Sequence, residues 1–139
     1  MDEFDTCIKQ GKLVKVQPDQ EWVSKEMSES EYDLSKAKES LDRKDYKWST
    51  VQSYYSMFHA AKALVLKAGY REKGHGCLLI ALDHLYIRPG KIEREHLEHM
   101  DDALDLRHQA DYGLDYSREE AEILLENATD FFEAVKKVL

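Results

Sequence analysis

Between Trp48 and Val65 the apolar residues Trp48, Val51, Tyr54, Tyr55, Phe58, Ala61, Leu64 and Val65 recur every three or four positions. That is the period of an α-helix, in which side chains three and four apart share a face. The apolar arc is wide rather than a narrow stripe, so a helix here must be covered on more than one side. A central helix of this kind obliges the rest of the chain to surround it.

The flanking segments have the pattern to do so. Asp19 is placed as an N-cap, and Val23, Met27, Ser30, Leu34, Ala37 and Leu41 mark one face of a long helix that Arg43-Lys44-Asp45 interrupts. Gly69 is positioned to end the central helix. Gly74-His75-Gly76 opens a shorter helix through Leu78, Leu79, Leu82 and Leu85, which Pro89-Gly90 stops. A further helix carries Ile92, Leu97, Met100, Leu104 and Arg107 and ends near Gly113. Ser117 with Glu120 has capping-box spacing before Ala121, Leu124, Ala128, Phe131, Val135 and Val138. No segment reads as a β-strand of weight. The expected fold is all-α, an antiparallel up-and-down bundle of four to five helices over residues 20–139, with residues 1–19 an arm that packs on it.

Composition limits the function. The net charge is −8, which argues against a broad cationic surface for duplex nucleic acid and leaves room only for a local basic group. Cys7 and Cys77 stand alone without CxxC spacing, so we expect free thiols, no disulfide framework and a reducing, cytoplasmic setting. No apolar run approaches the roughly 20 residues that span a bilayer, so no membrane partner is expected.

One polar group sits on an otherwise core-directed helix: Arg107, then Asp111 four residues on, then Tyr112. Arginine is rare beside apolar residues unless it is paired or used. The spacing fits an intrahelical ion pair, and equally an Arg107 that grips a phosphate through its planar fork. His108 should point about 100° away from Arg107. Glu93, His96 and His99 share a helical face, but no matching set on a second helix completes a metal site, so they are read as a solvated charged face. Neither a metal nor a cofactor is expected. Phosphate-binding glycine loops and the common hydrolase motifs are absent from the sequence.

Taken together, Asp45-Tyr46-Lys47-Trp48, the run from Tyr54 to Leu64, His75 with Leu78, Arg107-x-x-Ala110-Asp111-Tyr112, Glu119-Glu120-Ala121 and Phe131 resemble the HEPN domain family (higher eukaryotes and prokaryotes nucleotide-binding). The resemblance covers nearly the whole chain. It implies a homodimer, often paired with a minimal nucleotidyltransferase in toxin-antitoxin systems, and in active members a metal-independent ribonuclease. Those members carry a His separated from the Arg by four to six intervening residues, suited to move the proton of a ribose 2′-OH while the Arg steadies the phosphorus. Counting from Arg107, the corresponding residues here are Tyr112, Gly113 and Leu114, so the histidine is missing. A tyrosine hydroxyl, with an ordinary pKa of about 10, is a poor base at neutral pH.

The candidates that remain are His59, His75 and Tyr112 as substitute bases beside Arg107, and Arg107, Asp111, Tyr112, His75 and Tyr55 as ligand-binding residues. Packing offers a plainer role for most of them. His59 sits among Phe58, Ala60 and Ala61, His75 can order a helix start, and Tyr54-Tyr55 can serve as core or dimer-interface aromatics. Three functions follow: a component that binds nucleotide, single-stranded RNA or a nucleotidyltransferase partner through a dimer cleft around Arg107; a ribonuclease with a non-standard base; or a structural dimerisation module. The missing histidine favours the first.

Overall fold

The computed structural model describes residues 2–139 and is mostly helical. Its elements are α1 (Glu3–Lys9), β1 (Leu13–Lys15), α2 (Gln20–Asp42), α3 (Tyr46–Lys67), β2 (Tyr70–Glu72), α4 (His75–Leu82), α5 (Glu95–Asp111) and α6 (Arg118–Val138). A π-helical segment, Asp83–Ile87, continues α4. The helices form the expected bundle, and α3 is its central member, in contact with α2, α5, α6, α4 and β2.

The α2–α3 hairpin shows how closely the chain packs. Ser30 Oγ donates to the Ser56 carbonyl at 2.7 Å, and Ser56 Oγ donates to the Ser30 carbonyl at 2.8 Å. Nearer the connection, Ser49 Oγ donates to the Ala37 carbonyl at 2.9 Å. The partners descend α2 as they ascend α3, which defines an antiparallel pair. Small side chains let the two backbones approach, and the hydroxyls satisfy themselves on the facing carbonyls, so the buried polar groups are not left unpaired. The turn between the helices is a Schellman arrangement. Lys44 adopts φ 62° and donates from its backbone to Leu41, while the Asp45 N–H reaches the Ser40 carbonyl. Asp45 then caps α3 by accepting from the Trp48 N–H at 3.3 Å.

Other helix ends follow local chemistry. Asp19 caps α2, and Ser117 with Glu120 caps α6 through bonds of 3.1 and 3.0 Å. Gly69 ends α3 at φ 92°. At the end of α5 the left-handed position is taken by Leu114, at φ 55°, rather than by the expected Gly113. Gly113 serves close approach instead, since a Cβ there would lie 3.1 Å from the Gln109 carbonyl oxygen. The expected helix through Leu85 loosens into the π segment, where the Arg88 N–H reaches back to the Asp83 carbonyl at 2.9 Å. Tyr86 points inward from this segment and donates to the Leu64 carbonyl at 2.6 Å.

Two expectations for the N-terminal region need correction. A short antiparallel sheet exists: Leu13, Val14 and Lys15 pair with Glu72, Arg71 and Tyr70. Three-residue strands are too short to reveal period-two patterning, and their partners lie far apart in sequence. Cys7 and Cys77 are not free thiols but form a disulfide, their Cα atoms 5.9 Å apart. The pairing arises because α1 folds back on α4 and inserts Phe4 and Cys7 into the core shared with α3. It removes the argument from the cysteines for a reducing interior. Among the described residues, no helix is long and apolar enough to cross a membrane.

Candidate functional site around Arg107

Arg107 lies near the end of α5, facing α3. Its Nη2 donates to the Tyr55 hydroxyl at 2.9 Å. The guanidinium carbon stands 5.3 Å from the Tyr55 ring centre and 5.6 Å from that of Tyr54, within range of a cation–π contact with both. Asp111 Oδ2 is 3.2 Å from Arg107 Nε, the ion pair that four-residue spacing allows. The carboxylate lies off the N–H axis, so Nε has charge compensation without a directed hydrogen bond. The Arg107 side chain is only 19% exposed. Two aromatic rings and a carboxylate therefore hold the cation in one orientation, leaving Nη1 uncommitted among the described contacts.

The contact continues to α4. The Tyr54 hydroxyl is 3.2 Å from His75 Nδ1, and His75 Nε2 is 4.0 Å from Asp101 Oδ1. Burial pushes the Tyr54 hydroxyl above its ordinary pKa, an effect that the nearby Arg107 charge opposes without cancelling. Burial also holds His75 below the ordinary histidine value. A neutral imidazole has one donor and one acceptor nitrogen, so Nδ1 accepts from the Tyr54 hydroxyl in one tautomer and donates to it in the other. Asp111, Arg107, Tyr55, Tyr54 and His75 thus form one connected group.

Two sequence candidates stand apart from it. Tyr112, on the last residue of the α5 cap, is 74% exposed and packs its ring 5.7 Å from that of His108. It does not cap the core. His59, one turn after Tyr55 on α3, turns toward α2: its Nδ1 is 2.7 Å from Glu26 Oε2 and its Nε2 is 3.7 Å from Asp33 Oδ2. Lys62 extends this second cluster, 3.8 Å from Glu26 and 3.6 Å from the buried Glu72. The hydrogen bond to Glu26 raises the His59 pKa against the opposing effect of burial. Burial works to raise Glu26, but the His59 hydrogen bond and the Lys62 charge outweigh it and hold the carboxyl low. Burial dominates at Glu72 and Asp33, and both are raised. The surroundings therefore favour the charged form of His59 and disfavour that of His75.

Sequence reasoning missed Tyr54, Asp101, Glu26 and Asp33 as partners of these groups. Glu26 and Asp33 are two turns apart on α2, a spacing that places both on one face, but α2 carries many other charges that obscure it. His96 also departs from expectation. It is 7% exposed and packs 5.5 Å from the Phe131 ring rather than lying on a solvated face, because α6 covers that side of α5. Among the described residues, no His, Cys, Asp and Glu group has metal-holding geometry.

Comparison with other proteins places this geometry in a known context. A family model described as the HEPN domain matches residues 23–138. Two proteins of Methanocaldococcus jannaschii are similar in sequence. "Putative toxin MJ0605" is 32% identical over 79% of this chain and 83% of its own length. "Putative toxin MJ0142" is 30% identical over 76% of this chain and 78% of its own length. The solved structure of TT1696 from Thermus thermophilus superposes with a TM-score of 0.71, at 20% identity, over 84% of this chain and 98% of that one.

Proposed function

Because the chain belongs to the HEPN domain family, we propose that it is the toxin-side component of a two-component system with a minimal nucleotidyltransferase, and that it binds a nucleotide or single-stranded RNA through Arg107. The observation that carries this reading is the mounting of Arg107 against the adjoining Tyr54 and Tyr55 rings, with Asp111 on Nε and Nη1 uncommitted. A phosphate presented to Nη1 meets a cation that is already oriented, so little freedom is lost on binding. The relatives named as toxins support the class of system.

A homodimer completes the proposed cleft. Two open cavities of the single chain, about 450 and 630 Å³, are lined by other residues and not by Arg107. A second copy set against α3 and α5 brings a second Arg107 to the same ligand, doubling the local positive charge on an otherwise acidic protein. A cytoplasmic location fits ligands of this kind.

A second reading, a metal-independent ribonuclease, is favoured by one specific observation. His75 is neutral and joined through Tyr54 to the residues that hold Arg107. In the tautomer with the ring proton on Nδ1, toward Tyr54, Nε2 is unpartnered among the described residues and has the lone pair to take the 2′-OH proton. His75 thereby becomes the non-standard base, ahead of Tyr112 and His59. Incubating purified protein with mixed RNA in a chelator, beside Arg107→Ala, separates the two. Binding without cleavage supports the first reading, and cleavage lost in the variant supports the second. Neither binding nor cleavage leaves only a structural dimerisation module.

A further inference from the structure

A covalent bond ties the N-terminal arm to the bundle at the helix that carries His75. Cys7 on α1 is joined to Cys77 on α4, 70 positions later. Around this bond the arm is held by modest contacts. The Phe4 ring stacks on His84 at 4.0 Å, three residue pairs join β1 to β2, and the Lys73 N–H donates to the Lys12 carbonyl at 2.9 Å. Both cysteines line an open cavity of about 450 Å³, together with Thr6, Lys12, Lys73 and Gly74. Cys7 is 3% exposed. Cys77 is half-buried, so its sulfur offers the easier approach.

We propose that Cys7–Cys77 is a reversible thiol–disulfide site, opened by a dithiol reductant that enters this cavity and attacks Cys77 Sγ. One thiolate of the reductant bonds to Cys77 Sγ, the protein S–S bond breaks, and Cys7 leaves as a thiolate. The second thiol of the reductant then attacks the reductant sulfur of the mixed disulfide and expels Cys77 as a thiolate. The two protons released by the dithiol end on the two cysteines. The protein disulfide is reduced and the dithiol is oxidised to its own disulfide. Lys12 and Lys73 at the cavity mouth favour the departing thiolate, since neighbouring cations stabilise the charged sulfur.

The consequence is local. Opening the bond leaves α1 held by noncovalent contacts, among them the Phe4 ring against Tyr70 and His84 and the pairing of β1 with β2. It also frees the first turn of α4, two residues beyond His75. The site is independent of what Arg107 binds.

The test uses the full chain, purified without reductant. Native protein treated with iodoacetamide takes up no label; after dithiothreitol it takes up two, with its helical circular dichroism unchanged. Amide hydrogen exchange over residues 3–15 then accelerates at least tenfold while the middle of α3 is unaffected. Cys77→Ser exchanges like the reduced protein whether or not dithiothreitol is present. Two labels before reduction, a bond that opens only in denaturant, or equal exchange of residues 3–15 in the two redox states each overturns the proposal.

Discussion

Arg107 donates to the Tyr55 hydroxyl at 2.9 Å across 52 positions of sequence, joining the end of α5 to the middle of α3. The hydroxyl is thereby committed to the cation instead of to water, and the ring beneath it adds a cation–π contact. A half-buried arginine held in this way is oriented before any ligand arrives.

The first prediction concerns that bond. Tyr55→Phe should destabilise the native protein by about 1.5–3 kcal/mol, the worth of a hydrogen bond to a charged group, and have almost no effect once Arg107 is alanine and the bond is gone. Chemical denaturation of the four proteins of the cycle measures the coupling. Strictly additive losses would show that the two side chains do not interact.

The two histidines on opposite sides of the site should titrate on opposite sides of the ordinary value of 6.5, His75 below it and His59 above it. The sign for stability follows. His59 is stabilised in its charged form, so its contribution is complete below 6.5 and is lost as pH rises through its folded-state value. His75 resists charging, so it adds a cost as pH falls below 6.5. The stability gap between native protein and His59→Gln should therefore narrow as pH rises above 6.5 and through the raised folded-state value. Imidazole shifts followed by NMR test the order directly; a reversed order contradicts the opposite shifts of the two rings.

Helix ends offer a third test. Lys44 and Leu114 hold positive φ without being glycine, a conformation that costs a side-chain-bearing residue about 1 kcal/mol. Lys44→Gly and Leu114→Gly should each raise the melting temperature, whereas Gly113→Ala should lower it, because its Cβ would press on the Gln109 carbonyl. A loss on Lys44→Gly would mean that the Schellman turn does not form as described.

The reciprocal pair Ser30 and Ser56 supplies the fourth. Ser56→Val puts methyl groups where reciprocal hydroxyl–carbonyl bonds hold α2 against α3 and should destabilise by about 1–3 kcal/mol. Ser56→Ala should cost less, since only the hydroxyl is lost. Equal melting temperatures for the native protein and the valine variant would contradict the close packing.

The helical scaffold was legible because its signals are local. Asp19 and Ser117 cap where their sequence positions indicate, and the wide apolar arc of α3 marks the central helix. The Arg107–Asp111 ion pair was readable for the same reason, as it needs only four-residue spacing. What escaped depends on distant chain segments meeting. Tyr54 reaches His75 from 21 positions away and His59 reaches Glu26 from 33, with no periodicity to announce either. The disulfide and the small sheet were hidden likewise, since both rest on the arm folding back over α4 and β2. His96 looked solvent-facing because it shares a helical face with Glu93 and His99 and no second helix completes a ligand set, yet α6 covers the ring.

The central claim is that Arg107 binds the phosphate of a nucleotide or RNA, and its most direct measurement is fluorescence anisotropy of a labelled single-stranded RNA with native protein and with Arg107→Ala. Melting of both proteins should be recorded beside it, so that loss of fold is not mistaken for loss of binding. Removing a charge-assisted contact worth about 1.5–3 kcal/mol should weaken binding about 10- to 100-fold, more so at low salt. A folded Arg107→Ala protein that binds the RNA as tightly as the native one would contradict the account.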